Sequence, residues 1–137
     1  MGQLGPAAAV IVLDTHTLLW WQDEHPNLSE EAHRLIEGSD RVGVPTACCL
    51  ELATLERRGR VTFDRDVSAW LRAALARPTV EAIPLTVEIA VAAGRLPESF
   101  PGDPVDRVVF ATAEACNARL VTRDRRIRDH DPLRAVW

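Results

Sequence analysis

The hydrophobic and polar positions of this chain alternate in blocks that indicate short strands followed by helices. Residues 8–13 form a continuous aliphatic run that stops at Asp14, which is typical of a strand buried on both faces of a parallel sheet. Asp14 is therefore predicted to lie at the carboxyl end of the first strand. Further strands are predicted for residues 41–44, 80–83 and 119–122, with an edge strand at 134–136.

Helical spacing and helix-terminating residues occupy the segments between these strands. Asn27 or Ser29 can cap a helix that Gly38 closes, and glycine at 59 ends the helix after the second strand. The best-marked helix opens at Asp103, because an acidic cap followed by proline favours a helix start. Helices are predicted for residues 15–24, 27–37, 47–58, 66–77, 86–95 and 103–118, with a helical turn at 124–128.

Strands that alternate with helices predict an α/β fold. We expect a three-layer α/β/α sandwich with a central, mainly parallel sheet of four to five strands. The 137 residues suit one domain, and a composition of 47% hydrophobic and 26% charged residues is globular. No apolar run approaches the ~20 residues of a membrane span, and the three cysteines form no metal-binding C-x-x-C spacing. These features predict a soluble, cytoplasmic protein with no membrane contact.

Charge is unevenly distributed along the chain. All sixteen basic residues are arginine, which excludes chemistry that needs lysine, such as a Walker A phosphate loop or a Schiff base. The formal net charge of −4 argues against a nucleic-acid partner. However, residues 57–77 carry six arginines against two acids, and residues 119–137 carry six against three. These two basic segments can supply contacts to the backbone of a polyanion.

Four acidic residues are the strongest candidates for a functional site. Ligands of parallel sheets bind at the carboxyl ends of the strands, near the point where strand order reverses. Asp14 and Asp124 follow predicted strands, and Asp106 lies in the first turn of a helix, so these three can converge there. Glu51 lies in an apolar stretch, where an unpaired charge is costly.

Converging carboxylates repel one another, and a hard divalent cation with oxygen ligands relieves that repulsion. Mg²⁺, for which Mn²⁺ can substitute, can activate a water at such a site for attack on phosphorus. The sequence therefore predicts metal-dependent phosphodiester hydrolysis. The candidate metal-binding and catalytic residues are Asp14, Glu51, Asp106 and Asp124.

Each of these residues also has a purely structural interpretation, which the sequence leaves open. Asp14, Asp103 and Asp106 can be helix caps or complements of a helix dipole, and Asp124 can be a solvated salt-bridge partner. The four histidines lack metal-ligand spacing and are interpreted as surface or capping residues, and Cys48 as a small buried hydrophobic residue. Trp20 and Trp21 cannot both face the core, so one of them marks a partner surface or packs locally.

Four segments in a fixed order resemble a known family: 12–16 (VLDTH), 51–53 (ELA), 102–107 (GDPVDR) and 120–124 (LVTRD). Together they resemble a PIN-domain protein of the VapC toxin type, over nearly the whole of residues 10–137. The resemblance implies a Mg²⁺-dependent endoribonuclease that is the toxin of a toxin-antitoxin pair, with RNA as substrate. It also implies a small antitoxin bound over the groove, and a homodimer.

Residue by residue, the resemblance places the family's acidic site on Asp14, Glu51, Asp106 and Asp124, with Thr122 as a supporting hydroxyl. The arginines that adjoin these motifs, Arg107, Arg123, Arg125 and Arg126, are candidates for contacts to the RNA backbone. Residues 45–50 depart from the family's usual serines and aromatic residue, which affects the groove wall and hence substrate choice. Residues 1–9 extend beyond the family's usual start, as a flexible extension or a misassigned start.

Two other functions compete with this hypothesis. A catalytically silent PIN-fold module that binds RNA or a protein is the alternative from a different class, and the retention of all four acids favours the enzyme. A phosphotransferase of the haloacid dehalogenase kind, with Asp14 as nucleophile, needs a second aspartate where this chain has His16. It also needs a lysine, which the chain lacks.

Overall fold

The structure is a computed structural model, and it describes residues 10–137. The predicted N-terminal extension at 1–9, with the first two residues of the predicted first strand, lies outside the described residues. All structural statements below refer to residues 10–137.

A five-stranded, entirely parallel sheet forms the centre of the described chain. The strand order is β3-β2-β1-β4-β5, so the chain builds outward from β1 on one side and then returns to its other side. The carboxyl ends of β1 and β4 are therefore neighbours at the point where strand order reverses. The strands are β1 (Val10–Leu13), β2 (Arg41–Pro45), β3 (Val80–Ile83), β4 (Arg119–Val121) and β5 (Ala135–Val136).

Seven helices connect the strands. They are α1 (Thr15–Gln22), α2 (Glu30–Glu37), α3 (Thr46–Arg57), α4 (Val67–Leu75), α5 (Val87–Gly94), α6 (Pro104–Ala115) and α7 (Arg125–His130). The predicted α/β fold is confirmed, and every predicted strand and helix that falls within residues 10–137 is present. None of the helices in this range combines the length and apolar character that a membrane span needs.

Helix ends follow local side-chain chemistry. Ser29, not Asn27, caps α2, because its hydroxyl accepts the N–H of Ala32 at 3.0 Å. The chain leaves α3 through Gly59, whose φ of +72° is a left-handed conformation that glycine adopts without strain. Helix α6 is shorter than predicted and ends at Ala115, because Asn117 adopts a left-handed φ of +47°.

The core explains why the strands read as continuous apolar runs. Val12 and Leu13 of β1 are fully buried, as are the central residues of β2 and β4. Phe110 of α6 and Leu52 of α3 are among the largest fully buried side chains. Because α3 and α6 pack against each other, the acidic residue that each contributes is held at the same edge of the sheet.

Candidate active site

A cleft of about 250 Å³ opens at the carboxyl edge of the sheet. It lies where β1 and β4 end side by side. All four acids predicted from the sequence line it, although each comes from a different part of the chain. The lining residues are Asp14, Thr15, His16, Trp20, Glu51, Asp106, Arg123 and Asp124.

Asp14 follows β1 directly and also caps α1. Its Oδ1 accepts the N–H of Thr17 at 2.9 Å, and the Thr17 hydroxyl donates to the carbonyl of Val121 at 2.9 Å. The capping interpretation is therefore correct, and it is compatible with a role in the cleft. The two hydrogen bonds tie the start of α1 to the end of β4, which fixes the position of the Asp14 carboxylate.

Asp103 and Asp106 form a reciprocal capping box at the start of α6. Asp103 Oδ1 accepts the N–H of Asp106 at 2.9 Å, and Asp106 Oδ2 accepts the N–H of Asp103 at 3.2 Å. A Cβ at residue 102 would lie 2.6 Å from the Cβ of Asp106, so glycine is required where the loop approaches this side chain. Asp103 is exposed and absent from the cleft lining, whereas Asp106 is partly buried within it.

The charges of the cleft are visible in the pKa of Asp106. Partial burial and, after it, the negative charges of Asp103, Glu51 and Asp14 raise this pKa to about 7, although the hydrogen bond from the Asp103 backbone lowers it. The ionised form of Asp106 is thus disfavoured by burial and by the other acids around it. The contribution of the acids is the electrostatic repulsion expected of carboxylates gathered at one site.

Glu51 reaches the cleft from α3, one turn after Cys48. It is partly buried between the exposed Leu50 and the fully buried Leu52. Burial raises the pKa of the Cys48 thiol, and the nearby charges of Asp14 and Glu51 add to this effect. Cys48 is fully buried, as predicted, and stays a neutral thiol.

Asp124 lies at the turn between β4 and α7. The fully buried Thr122 accepts the N–H of Asp124 through its hydroxyl at 3.1 Å, which fits the predicted supporting role. Asp124 in turn accepts the backbone N–H of Arg126 at 2.9 Å and pairs with its guanidinium at 3.2 Å. Partial burial opposes ionisation, but these interactions outweigh it and lower the pKa of Asp124.

The candidate RNA-contacting arginines differ in their surroundings. Arg123 is exposed and lines the cleft, with its guanidinium carbon 5.6 Å from the centre of the Trp20 ring. Arg126 is exposed but paired with Asp124, and Arg125 is exposed and lies 4.0 Å from Asp129. Of these three arginines, Arg123 is the one that lines the cleft.

Arg107, which was also predicted to contact RNA, is absent from the cleft lining. Its guanidinium donates three hydrogen bonds to backbone carbonyls at the end of α5, at 3.0–3.2 Å. The acceptors are Ala93, Leu96 and Pro97. Arg107 therefore joins the end of α5 to α6, and its contact with an RNA backbone is still a prediction.

Sequence reasoning gave no cleft role to His16 and treated Trp20 only as a partner-surface or packing residue. Both line the cleft, and their ring centres are 5.5 Å apart. The signal was present in the sequence, because positions 16 and 20 are one helical turn apart and His16 follows Asp14 by two residues. Trp21 faces inward, where its indole N–H donates to Glu37 at 2.8 Å.

The cleft chemistry fits a hard divalent cation, although its acids do not form a finished coordination shell. Within residues 10–137, no three histidine, cysteine or acidic side chains are arranged to hold a metal ion by themselves. The donors are carboxylate oxygens, the kind that Mg²⁺ prefers, and Mg²⁺ commonly keeps several of its waters. The raised pKa of Asp106 supports a fit, since a cation would offset the negative charges of Glu51 and Asp14 that contribute to it beside burial.

Comparison with known proteins defines the class first. The family model for the PIN domain matches residues 11–132, and the chain belongs to this family. Within it, the chain is 39% identical over 126 residues to Ribonuclease VapC22 of Mycobacterium tuberculosis, covering 92% of this chain and 95% of that protein. The resemblance to VapC-type PIN domains that the motifs indicated is thereby confirmed.

Solved structures agree on the fold. A toxin-antitoxin complex from Klebsiella pneumoniae contains a chain with a TM-score of 0.66 and 19% identity, covering 93% of this chain and 96% of that one. VapBC2 from Rickettsia felis, bound to a DNA fragment from its promoter, gives 0.65 and 17%, covering 93% and 97%. At these identities the likeness concerns the fold alone, and it confirms the PIN-like architecture.

Proposed function

We propose that this protein is a Mg²⁺-dependent endoribonuclease that hydrolyses phosphodiester bonds of RNA. The observation that carries the proposal is one cleft, at the point where strand order reverses, that Asp14, Glu51, Asp106 and Asp124 line together. Burial and nearby charges, including those of Glu51 and Asp14, raise the pKa of Asp106 in this cleft. The similarity to a protein named Ribonuclease VapC22 supports RNA as the substrate.

The four acids divide into two pairs by their surroundings. Asp14 and Asp124 are anchored by hydrogen bonds at the carboxyl ends of β1 and β4, whereas Glu51 and Asp106 project from helices that pack together. Mg²⁺, or Mn²⁺ in its place, would be held by these four carboxylates and would supply positive charge for the phosphate and acidity for the attacking water. Thr122 keeps Asp124 in place, and Arg123 offers its guanidinium to an RNA phosphate.

Cleavage of single-stranded RNA by the purified protein tests this proposal. Activity should require Mg²⁺ or Mn²⁺, and Asp14→Asn should reduce it by at least about 100-fold, because the substitution removes one charge but keeps the cap on α1. Asp23→Asn is the matched control at the other end of α1, where the side chain is exposed and outside the cleft lining. Cleavage that survives excess chelator, or Asp14→Asn at wild-type rate, would contradict the proposal.

The silent-module alternative makes a different prediction in the same assay. A module that only binds RNA would retain the RNA with no metal-dependent cleavage, and Asp14→Asn would then leave affinity unchanged or raise it through lost repulsion. The gathering of all four acids in one cleft favours the enzyme, because a binding surface for a polyanion gains nothing from uncompensated negative charge.

We further propose that the protein is the toxin of a toxin-antitoxin pair and acts in the cytoplasm as a homodimer. Similar solved chains come from complexes titled toxin-antitoxin and VapBC, which supports a small antitoxin as partner.

An exposed apolar surface around α5 supports the homodimer. Leu85, Val87 and Val91 are exposed there and are available for self-association. The three cysteines are all free, as suits a reducing compartment. Co-expression with the product of a short adjacent reading frame should suppress cleavage.

A further inference from the structure

Part of the cleft is lined by two aromatic side chains and a guanidinium, and not by carboxylates. His16, Trp20 and Arg123 line this part, and we call these three residues the cleft ledge. The His16 ring is exposed and lies 5.5 Å from the Trp20 ring, while the Arg123 guanidinium carbon lies 5.6 Å from the same ring. Trp20 thus contacts both an accessible ring and an accessible cation in the cleft that the four acids line.

Trp20 also contacts two other rings, which hold it in place. The His25 ring stacks on it at 5.8 Å with an interplanar angle of 26°, and the Trp137 ring meets it edge-on at 5.9 Å. Because Trp20 is anchored, the ledge loses little conformational freedom when a ligand docks. A rigid ring beside a guanidinium is a feature that a metal site or a helix cap does not need.

The chemistry of the cleft ledge matches a nucleotide, which combines a planar base with a phosphate. Proteins bind unpaired bases by stacking them on aromatic or histidine rings, with a cation on the backbone. We infer that the cleft ledge takes the unpaired nucleotide next to the scissile phosphate, with the base on the His16 ring and a phosphate of that nucleotide on Arg123. Trp20 is a positioning residue for both groups. This inference rests on the proposed ribonuclease function.

The inferred arrangement has a consequence for the substrate. A base that lies flat on His16 must be unstacked from its RNA neighbours, so the cleft favours single-stranded segments and loops over duplex. Every base has a π-face that can stack, so the cleft ledge should add affinity at one nucleotide position without selecting for a particular base.

Binding measurements on the inactive Asp14→Asn protein test the inference without cleavage. The probe is a short, fluorescently labelled single-stranded RNA in which an abasic site replaces each nucleotide in turn. At one position the abasic site should weaken binding, and His16→Ala in the same protein should weaken binding of the intact RNA by about tenfold. At that position His16→Ala should also abolish the abasic penalty, because both changes remove the same stack.

Two further variants separate stacking from other roles of these side chains. His16→Phe retains a ring without a titratable nitrogen and should keep both the affinity and the abasic penalty. Arg123→Ala should reduce the salt dependence of binding, whereas Arg119→Ala, at the opposite end of β4, should leave it unchanged. Trp20→Leu should lower affinity and the abasic penalty together, with circular dichroism to confirm that the variant is folded.

The outcomes distinguish this inference from the proposed function. Metal-dependent cleavage by the wild-type protein, combined with the same abasic penalties in His16→Ala as in its parent, would overturn the cleft ledge and leave the ribonuclease standing. Absence of any RNA cleavage by the wild-type protein would overturn both. If His16→Ala changes the affinity for an antitoxin but not for RNA, the cleft ledge is a protein contact and the inference is wrong.

Discussion

The Asp106 side chain both accepts a hydrogen bond at the start of α6 and carries a charge that its surroundings disfavour. Its Oδ2 accepts a hydrogen bond that helps to start α6, and its charge is opposed by burial and by Asp103, Glu51 and Asp14. An asparagine keeps an oxygen for the hydrogen bond and removes the charge. Asp106→Asn therefore tests how much the negative charge of this side chain lowers the free energy of unfolding.

We expect Asp106→Asn to stabilise the metal-free protein at pH 8. The folded pKa of about 7 lies above the unfolded value, so the folded wild type binds a proton more readily and becomes less stable as pH rises from about 4 to 7. Above pH 7 the variant avoids this loss. Its free energy of unfolding should exceed that of the wild type by about 1–2 kcal/mol, after allowance for solvent screening at a partly exposed group. Urea unfolding in chelator at several pH values measures it.

The same variant provides its own control at low pH. Near pH 4 the wild-type side chain is protonated in the folded state, so the difference in the free energy of unfolding between the two proteins should nearly vanish. A stabilisation that is equal at pH 4 and pH 8, or a variant that is less stable at pH 8, would show that charge repulsion is not the cause.

At the scale of elements, strand and helix positions were predictable because each is encoded locally. Buried parallel strands show as apolar runs, and caps such as Ser29 and Asp103 act through neighbours only three residues away. The proximity of Asp14 and Asp124 was predictable too, because topology brings the carboxyl ends of β1 and β4 together. Whether these acids bind a metal is still a prediction.

The role of Arg107 could not be predicted, because its partners belong to a different element. The motif that precedes it indicated a residue at the site, but the three carbonyls it contacts lie 10–14 residues earlier, at the end of α5. The contact between the Trp20 and Trp137 rings could not be predicted either, because these residues are far apart in the sequence. Such contacts depend on how packed elements approach one another, which local patterns do not encode.

Replacing Arg107 should loosen α5. Arg107→Met keeps most of the side-chain volume but removes a donor from three carbonyls, of which those of Ala93 and Pro97 also accept backbone N–H groups, so the change should cost about 1–2 kcal/mol in the free energy of unfolding. Hydrogen exchange should accelerate at the end of α5 more than in β1 or β4. RNA affinity should not change, in contrast to Arg123→Ala.

Arg95→Met is the matched control for this substitution, because Arg95 is exposed and lies directly after α5. It should leave both stability and hydrogen exchange nearly unchanged. If Arg107→Met instead retained wild-type stability and lost RNA affinity, the original expectation of an RNA contact would be correct and the structural role wrong.

At the scale of the whole molecule, the cleft exists only when distant parts of the chain are folded together. Its acids come from the ends of β1 and β4 and from α3 and α6, which are separated by most of the sequence. The unfolded chain has no such cluster. A divalent cation that binds there must therefore stabilise the folded state, because binding to one state alone shifts the folding equilibrium.

We expect Mg²⁺ to raise the free energy of unfolding of the wild-type protein at pH 8. At ten times the dissociation constant the gain should be about 1.4 kcal/mol, from the logarithmic dependence on ligand concentration. Asp14→Asn and Asp106→Asn should gain much less, since each removes a carboxylate from the cleft. NaCl at matched ionic strength controls for general screening of the acidic surface. An equal gain in all three proteins would place the cation elsewhere, and no gain in the wild type would mean that the four acids do not form a metal site.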